Sequence, residues 1–305
     1  MVDPFAEMHH LVSQGYQRNF ADGHRVTVLA ARSGEIIDPA RPIKSNFVRA
    51  GYNTQIGSTG DPDSRLEREF AKLERPILDQ IRRVTPTTCG PDLCAAVVTL
   101  FAVHLVRSEA FQFAHSQVVE QLRQDWLPQL ATEPEVRRRY EADYGGAPTD
   151  NDIIRIGERI LEENVRANRL HVDGMVRIYN KIASQLAKFY VQVITSDQLG
   201  IGFALGDVPV VHANTRTGQY GFRDRLAVGD ADLIIGPLTR SAAVALSVRP
   251  REPAKLTVKR RLQELNAVFA RAALSEIACH PGDAHEVQRV CKNLDRFAPD
   301  RLVRR

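Results

Sequence analysis

Between residues 63 and 196 the apolar positions recur at intervals of three and four, and on both sides of that block they fall into short β-branched runs. A chain patterned in this way buries helical stripes against sheet, which points to an α+β fold. The first helix of the block is the clearest. Asp63 or Ser64 supplies a cap, and Leu66, Phe70, Leu73, Ile77 and Ile81 form one apolar stripe. Pro76 stands inside that stripe and is expected to kink or break the helix. A second helix starts after Gly90-Pro91, with Asp92 in its first turn, and is read through Val106 as far as Trp126, before Pro128. Further helices are read over 133–144, closed by Gly145-Gly146, over 153–170, capped from Thr149 or Asp150, and over 175–196. His171-Val172-Asp173-Gly174 is read as the turn between the last two.

Before this block, residues 25–29 and 35–37 flank Arg32-Ser33-Gly34, the pattern of a β-hairpin. Residues 51–62 are rich in Gly, Asn, Ser, Thr and Asp and read as loop. After it come short β runs or turns at 201–205, 208–211, 218–222, 231–235 and 242–248, then helix over 256–279 and 284–294. The expected organisation is a single, predominantly helical α+β domain over 1–305. It has a β part at about 1–60, a helical block at about 63–197, a β segment at about 201–248 and C-terminal helices at about 256–296. The N-terminal hairpin and the 201–248 segment are expected to share one sheet.

The chain has 305 residues, 43% of them hydrophobic, enough for one large core. Its net charge of +4 does not by itself argue for nucleic acid as a partner. Arg137-Arg138-Arg139, Lys259-Arg260-Arg261 and Arg304-Arg305 read as solvated helix faces. The first residues lack a basic and apolar leader, and no apolar run nears the roughly twenty residues of a membrane span. A soluble, cytoplasmic protein with no membrane contact is therefore expected. Four cysteines without a leader argue against a disulfide framework. Cys89 and Cys94 are too far apart for a Cys-x-x-Cys motif. The run from Cys279 through His280 and His285 to Cys291 matches no common zinc finger and reads as a helix stop, a turn and a new helix. No P-loop, dinucleotide fingerprint or Gly-x-Ser-x-Gly elbow is present.

Near the start, His10-Leu11-Val12-Ser13-Gln14-Gly15-Tyr16-Gln17-Arg18-Asn19-Phe20 interleaves polar and aromatic residues, like an opening strand or turn that brings a histidine and an arginine near the interior. This stretch resembles the opening signature of the domain-of-unknown-function 4238 family, which runs His, aromatic, Val, Pro, Gln, aromatic, Tyr, Leu, Arg, any residue, Phe. The chain departs from it at Ser13, Gly15 and Gln17. Further blocks resemble the family in order. They are Leu66-Glu67 with Leu73-Glu74, His104-Leu105-Val106-Arg107, residues 203–211 with Gly206 in place of Ser, Ile235-Gly236-Pro237-Leu238, and Leu265-Asn266. The resemblance spans nearly the whole chain and implies a bacterial protein and a set of polar positions that converge. It implies no reaction.

The candidate site residues are His10, Arg18, Glu67, Glu74, Arg107 and Asp207. Glu67 and Glu74 are two helical turns apart, about 10 Å along the axis, at the margin of the apolar stripe. Asp207 sits at a Gly-Asp turn between two β runs. Histidine with carboxylates suits Mg²⁺ or Mn²⁺, and arginines beside them suit phosphate. One reading is thus a metal-assisted phosphoester hydrolase, nuclease-like, with nucleic acid as substrate. The other is a non-catalytic interaction or sensing module whose Arg–Glu pairs are structural and whose Asp207 makes an Asx-type turn. For the residue set alone the structural reading outweighs the catalytic one, while the hydrolase stands as the first functional reading and the module as its alternative.

Overall fold

The computed structural model describes residues 7–57, 59–85 and 90–297. Cys89 and Arg304-Arg305 fall outside them. The fold is α+β and predominantly helical, as the patterning requires. Its β residues form two larger sheets and two short ribbons. In the six-stranded sheet the order is Gln219–Tyr220, Val211–Asn214, Leu233–Pro237, Ala242–Ser247, Tyr190–Thr195 and Ala254–Lys255, with only the last pairing parallel. The four-stranded sheet runs Ile36–Pro42, Arg25–Ala30, Glu276–Cys279 and Leu205–Gly206. The hairpin therefore shares its sheet with only two residues of the 201–248 segment, because Glu276–Cys279, expected to be helical, is inserted between them. Ile277, Ala278 and Cys279 alternate in and out of a core that is buried on both faces, so their apolar run carries no period-2 signature.

The helix Arg65–Ile81 passes through Pro76 unbroken. Its buried residues are Phe70, Glu74, Ile77, Leu78 and Ile81, while Leu73 is exposed, so the inward stripe is rotated to include a carboxylate. That packing holds the helix together across the one main-chain bond that proline removes. The next helix ends at Val106 rather than running on to Trp126. Ser108 caps a new helix, Glu109–Gln121, accepting from the Phe111 amide at 3.2 Å, and the chain bends by 53° between the two. Glu109–Gln121 continues through a π turn at Leu122–Trp126 into Leu127–Thr132, so Pro128 stands within helix rather than ending it.

Pro134–Tyr144 closes on left-handed Gly145, and Asp150–Arg166 opens on a capping box formed by Thr149 and Asp152. His171 to Gly174 lie inside the helix Arg169–Leu186 rather than in a turn; the break falls instead at Asn168. Residues 190–195 are strand, not the end of a helix, consistent with the β-branched residues in Tyr190–Thr195. Gln55–Ile56 and Pro62–Asp63 pair within the segment read as loop. One large apolar cluster joins side chains from the N-terminal hairpin, the helices and both larger sheets. Among the described residues no single helix is long and apolar enough to cross a membrane.

Candidate functional site

Three of the expected residues meet in the core. Glu67 and Glu74 project from one face of Arg65–Ile81, and Arg107 reaches them from the end of Pro91–Val106. Arg107 is 1% exposed. Its Nη2 donates to Glu67 Oε1, and its Nη1 lies 3.4 Å from Glu74 Oε1. The guanidinium also sits over the Phe70 ring, 5.6 Å from its centroid. Two long carboxylates seven positions apart thus converge on one planar cation, which presents separate N–H groups to each.

The surrounding groups come from the first fifty-four residues and from the second helix. The strand Met8–His10 alternates, and it is His9 that is buried. His9 Nδ1 stands 3.6 Å from Glu67 Oε2, while its Nε2 bonds the Thr54 hydroxyl at 2.9 Å. The Asn53 amide donates to Glu67 Oε2. Thr54 continues through Ser64 to Glu7, with successive contacts of 2.9 and 2.7 Å. On the Glu74 side, His104 Nε2 lies 3.5 Å from Oε1, and its ring stacks on Tyr16 with centroids 4.9 Å apart. The Tyr16 hydroxyl donates to the Pro237 carbonyl, tying the opening segment to the six-stranded sheet.

The electrostatics divide the two carboxyls. Burial pushes Glu67 up, but the His9 ring, the Arg107 charge and the Asn53 amide more than offset it, and the group titrates below its ordinary range. Glu74 is raised: burial dominates and Arg107 opposes it only in part. Burial, with Arg107 nearby, holds His104 down to about 3, so at neutral pH it is an uncharged ring rather than a partner in an ion pair. Among the described residues no group of three or more His, Cys, Asp or Glu side chains is placed to hold a metal ion. The place between the carboxylates, where a Mg²⁺ or Mn²⁺ would sit, is taken by the Arg107 guanidinium.

The remaining expected residues lie apart from this geometry or at its edge. His10 is half-buried on the other face of its strand; burial and then Arg107 lower its pKa. Arg18 is exposed, not near the interior. Asp207 is buried in the four-stranded sheet region, and its carboxylate accepts from the amides of Leu274 and Ser275 at 2.8 Å, the Ser275 hydroxyl at 2.8 Å and the Glu276 amide at 3.0 Å. It fixes the turn that leads into Glu276–Cys279. Sequence reasoning missed His9, Asn53 and His104. For His104 a signal existed, since it precedes Arg107 by three positions in a helix and so shares its face.

Two of the three departures from the family signature, Gly15 and Gln17, have local explanations. Gly15 lies so close to Leu78 that a Cβ would come within 2.3 Å of its Cδ1, so a leucine from the first long helix fills the space beside residue 15. Gln17, fully buried, donates to the carbonyls of Val12 and Asn46 at 2.6 and 3.2 Å and accepts from the Asn46 side chain at 3.0 Å. No curated protein and no solved structure matches this chain. A family profile described as "Protein of unknown function (DUF4238)" matches residues 8–283, which include the whole Arg107 network from His9 onward and the Asp207 turn. With the match covering most of its length, the chain belongs to the DUF4238 family.

Proposed function

We propose that this protein is a non-catalytic interaction or sensing module in which the Glu67–Arg107–Glu74 network is structural. The observation that carries this reading is the guanidinium of Arg107, buried and bonded towards both carboxylates. A cation already occupies the place between the two carboxylates. The network also links four parts of the chain, namely the first strand, the turn around Asn53, and two helices. Asp207 accepts from three main-chain amides and the Ser275 hydroxyl, which supports a structural role for it as well.

The competing reading is a metal-dependent phosphoester hydrolase of nuclease type. It requires Glu67 and Glu74 to exchange Arg107 for Mg²⁺ or Mn²⁺, leaving a buried guanidinium without partners, which is strongly unfavourable. The two readings separate in one experiment. Purified protein and its Glu67→Gln, Glu74→Gln and Asp207→Asn variants are incubated with DNA and RNA in Mg²⁺, Mn²⁺ or EDTA, and thermal midpoints are recorded alongside. The module reading expects no cleavage and midpoints lowered by roughly 5 °C or more in Asp207→Asn, which loses acceptors for buried amides. Metal-dependent cleavage that disappears in Glu67→Gln at an unchanged midpoint would establish the hydrolase instead.

A further inference from the structure

A cavity of about 610 Å³ opens beside the Val211–Asn214 strand, under the turn at 220–224 and against the C-terminal helices. None of its lining residues belongs to the Arg107 network. Its wall carries four cations, Arg32, Arg223, Arg271 and Lys292, against two carboxylates, Asp224 and Asp295. Among the described residues none of the four cations forms an ion pair. Four cations outnumber the two carboxylates of the lining, and Asp207 opposes their repulsion at Arg32 only in part, so a bound anion relieves the excess positive charge. The effect is felt at Arg32, whose pKa is lowered by burial first and then by Arg223 and Arg271.

Two of the guanidiniums are held in place by main chain. Arg271 donates to the carbonyls of Phe297 at 2.6 Å and Leu294 at 2.5 Å, and Arg32 donates to the Arg271 carbonyl at 2.8 Å. Each keeps further N–H groups for a ligand. Asp207 braces the turn that follows Arg271 and so steadies this wall. The lining also has aromatic and apolar members, Tyr220, Phe222, Val208 and Val211. His212 also lines it and is 1% exposed. Its Nε2 bonds the Leu226 carbonyl at 3.0 Å, which places the ring proton on Nε2 and a lone pair on Nδ1, and Nδ1 has no partner among the described residues. Burial lowers this histidine to about 4, so the ring is uncharged at neutral pH.

We propose that the cavity binds a free nucleoside monophosphate or a small organic phosphate of the same build. The phosphate is gripped by Arg32, Arg223 and Arg271, as guanidiniums grip planar pairs of oxygens. The flat base packs on Tyr220 and Phe222, whose ring is backed by His212 at 4.5 Å between centroids. The volume is that of a small-molecule site, which selects a free nucleotide over a polymer. The residues are separate from those of the module reading, so either can fail without the other.

The test is isothermal titration of the full-length protein with AMP, GMP, CMP and UMP, and with inorganic phosphate and the four nucleosides as separate halves. At least one monophosphate is expected to bind about tenfold or more tightly than either of its halves. Arg223→Ala alters an exposed residue with no ion-pair partner, so its ligand-free thermal midpoint is expected to match the parent while its affinity falls about tenfold or more. Binding that weakens steadily with added salt is part of the same expectation. Three results would overturn the proposal: no monophosphate binding at millimolar concentration, equal affinity for phosphate alone, or full affinity in Arg223→Ala. Capture of a short RNA with no binding of any mononucleotide would overturn it too.

Discussion

Arg107 is 1% exposed and answers two carboxylates with different burdens, one partly solvated and lowered, the other buried and raised. Removing the cation strands both. Arg107→Met is expected to cost about 3–5 kcal/mol in urea unfolding, the usual cost of breaking a buried pair from one side. In Arg107→Met/Glu74→Gln the loss is expected to be smaller than the sum of the two single changes, because the stranded charge is gone. A strictly additive result would mean that the two side chains do not interact. At this scale the sequence showed which residue types converge but not which neighbour points inward. Glu67 and Glu74 were legible from their helical spacing, and Arg107 from the family resemblance. His9 and His10 are adjacent, and only the strand's register with Arg49 and Val48 decides between them. Arg18 carries the right chemistry yet faces solvent, since Tyr16, Gln17 and Phe20 take the inward positions of that turn.

Among the elements, the junctions decide the site. The helix that delivers Arg107 stops there because Ser108 offers a cap, and the 53° bend carries the following helix away from Glu67. An apolar run ending in Arg-Ser-Glu gave that stop little prominence beside the Pro128 further on. Asn168 makes a second junction. It adopts left-handed φ of 55°, a conformation asparagine tolerates better than most residues, and its amide donates to the carbonyls of Tyr52 and Thr54 at 3.0 and 2.8 Å. The turn it holds presents Asn53 and Thr54 to Glu67 and His9. Asn168→Ala is expected to destabilise by about 2–3 kcal/mol, combining lost bonds with backbone strain. Hydrogen exchange should show the amides around Thr54 opening faster. A stability change under about 0.5 kcal/mol would mean that the turn holds itself. The rotated stripe of Arg65–Ile81 was hidden for a different reason: Leu73 and Glu74 are neighbours, and periodicity favours the leucine until the partner Arg107 is known.

For the whole molecule, three buried neutral histidines set the response to acid. His104 is lowered to about 3, and His171 and His212 to about 4, each chiefly by burial. In the unfolded chain they take up a proton near pH 6.5, so between that value and about 4 the unfolded state binds more protons than the native one. Stability therefore falls as pH falls through this window, and the thermal midpoint is expected to drop steadily from about pH 6.5 downward. His171→Phe should shallow that slope, since an uncharged ring replaces one that charges only on unfolding. An unchanged slope would place the proton uptake elsewhere. The α+β class was legible from the alternation of patterns, whereas the pairing of sheets was not, because it joins segments far apart in the chain. That distance matters while the protein is being made. The strand Glu276–Cys279 lies between Arg25–Ala30 and Leu205–Gly206, so the inner edge of the hairpin is paired by a strand made long after it. While the residues between them are being made that edge is open to other chains, and protection of the nascent hairpin is a requirement that this topology imposes on the cell.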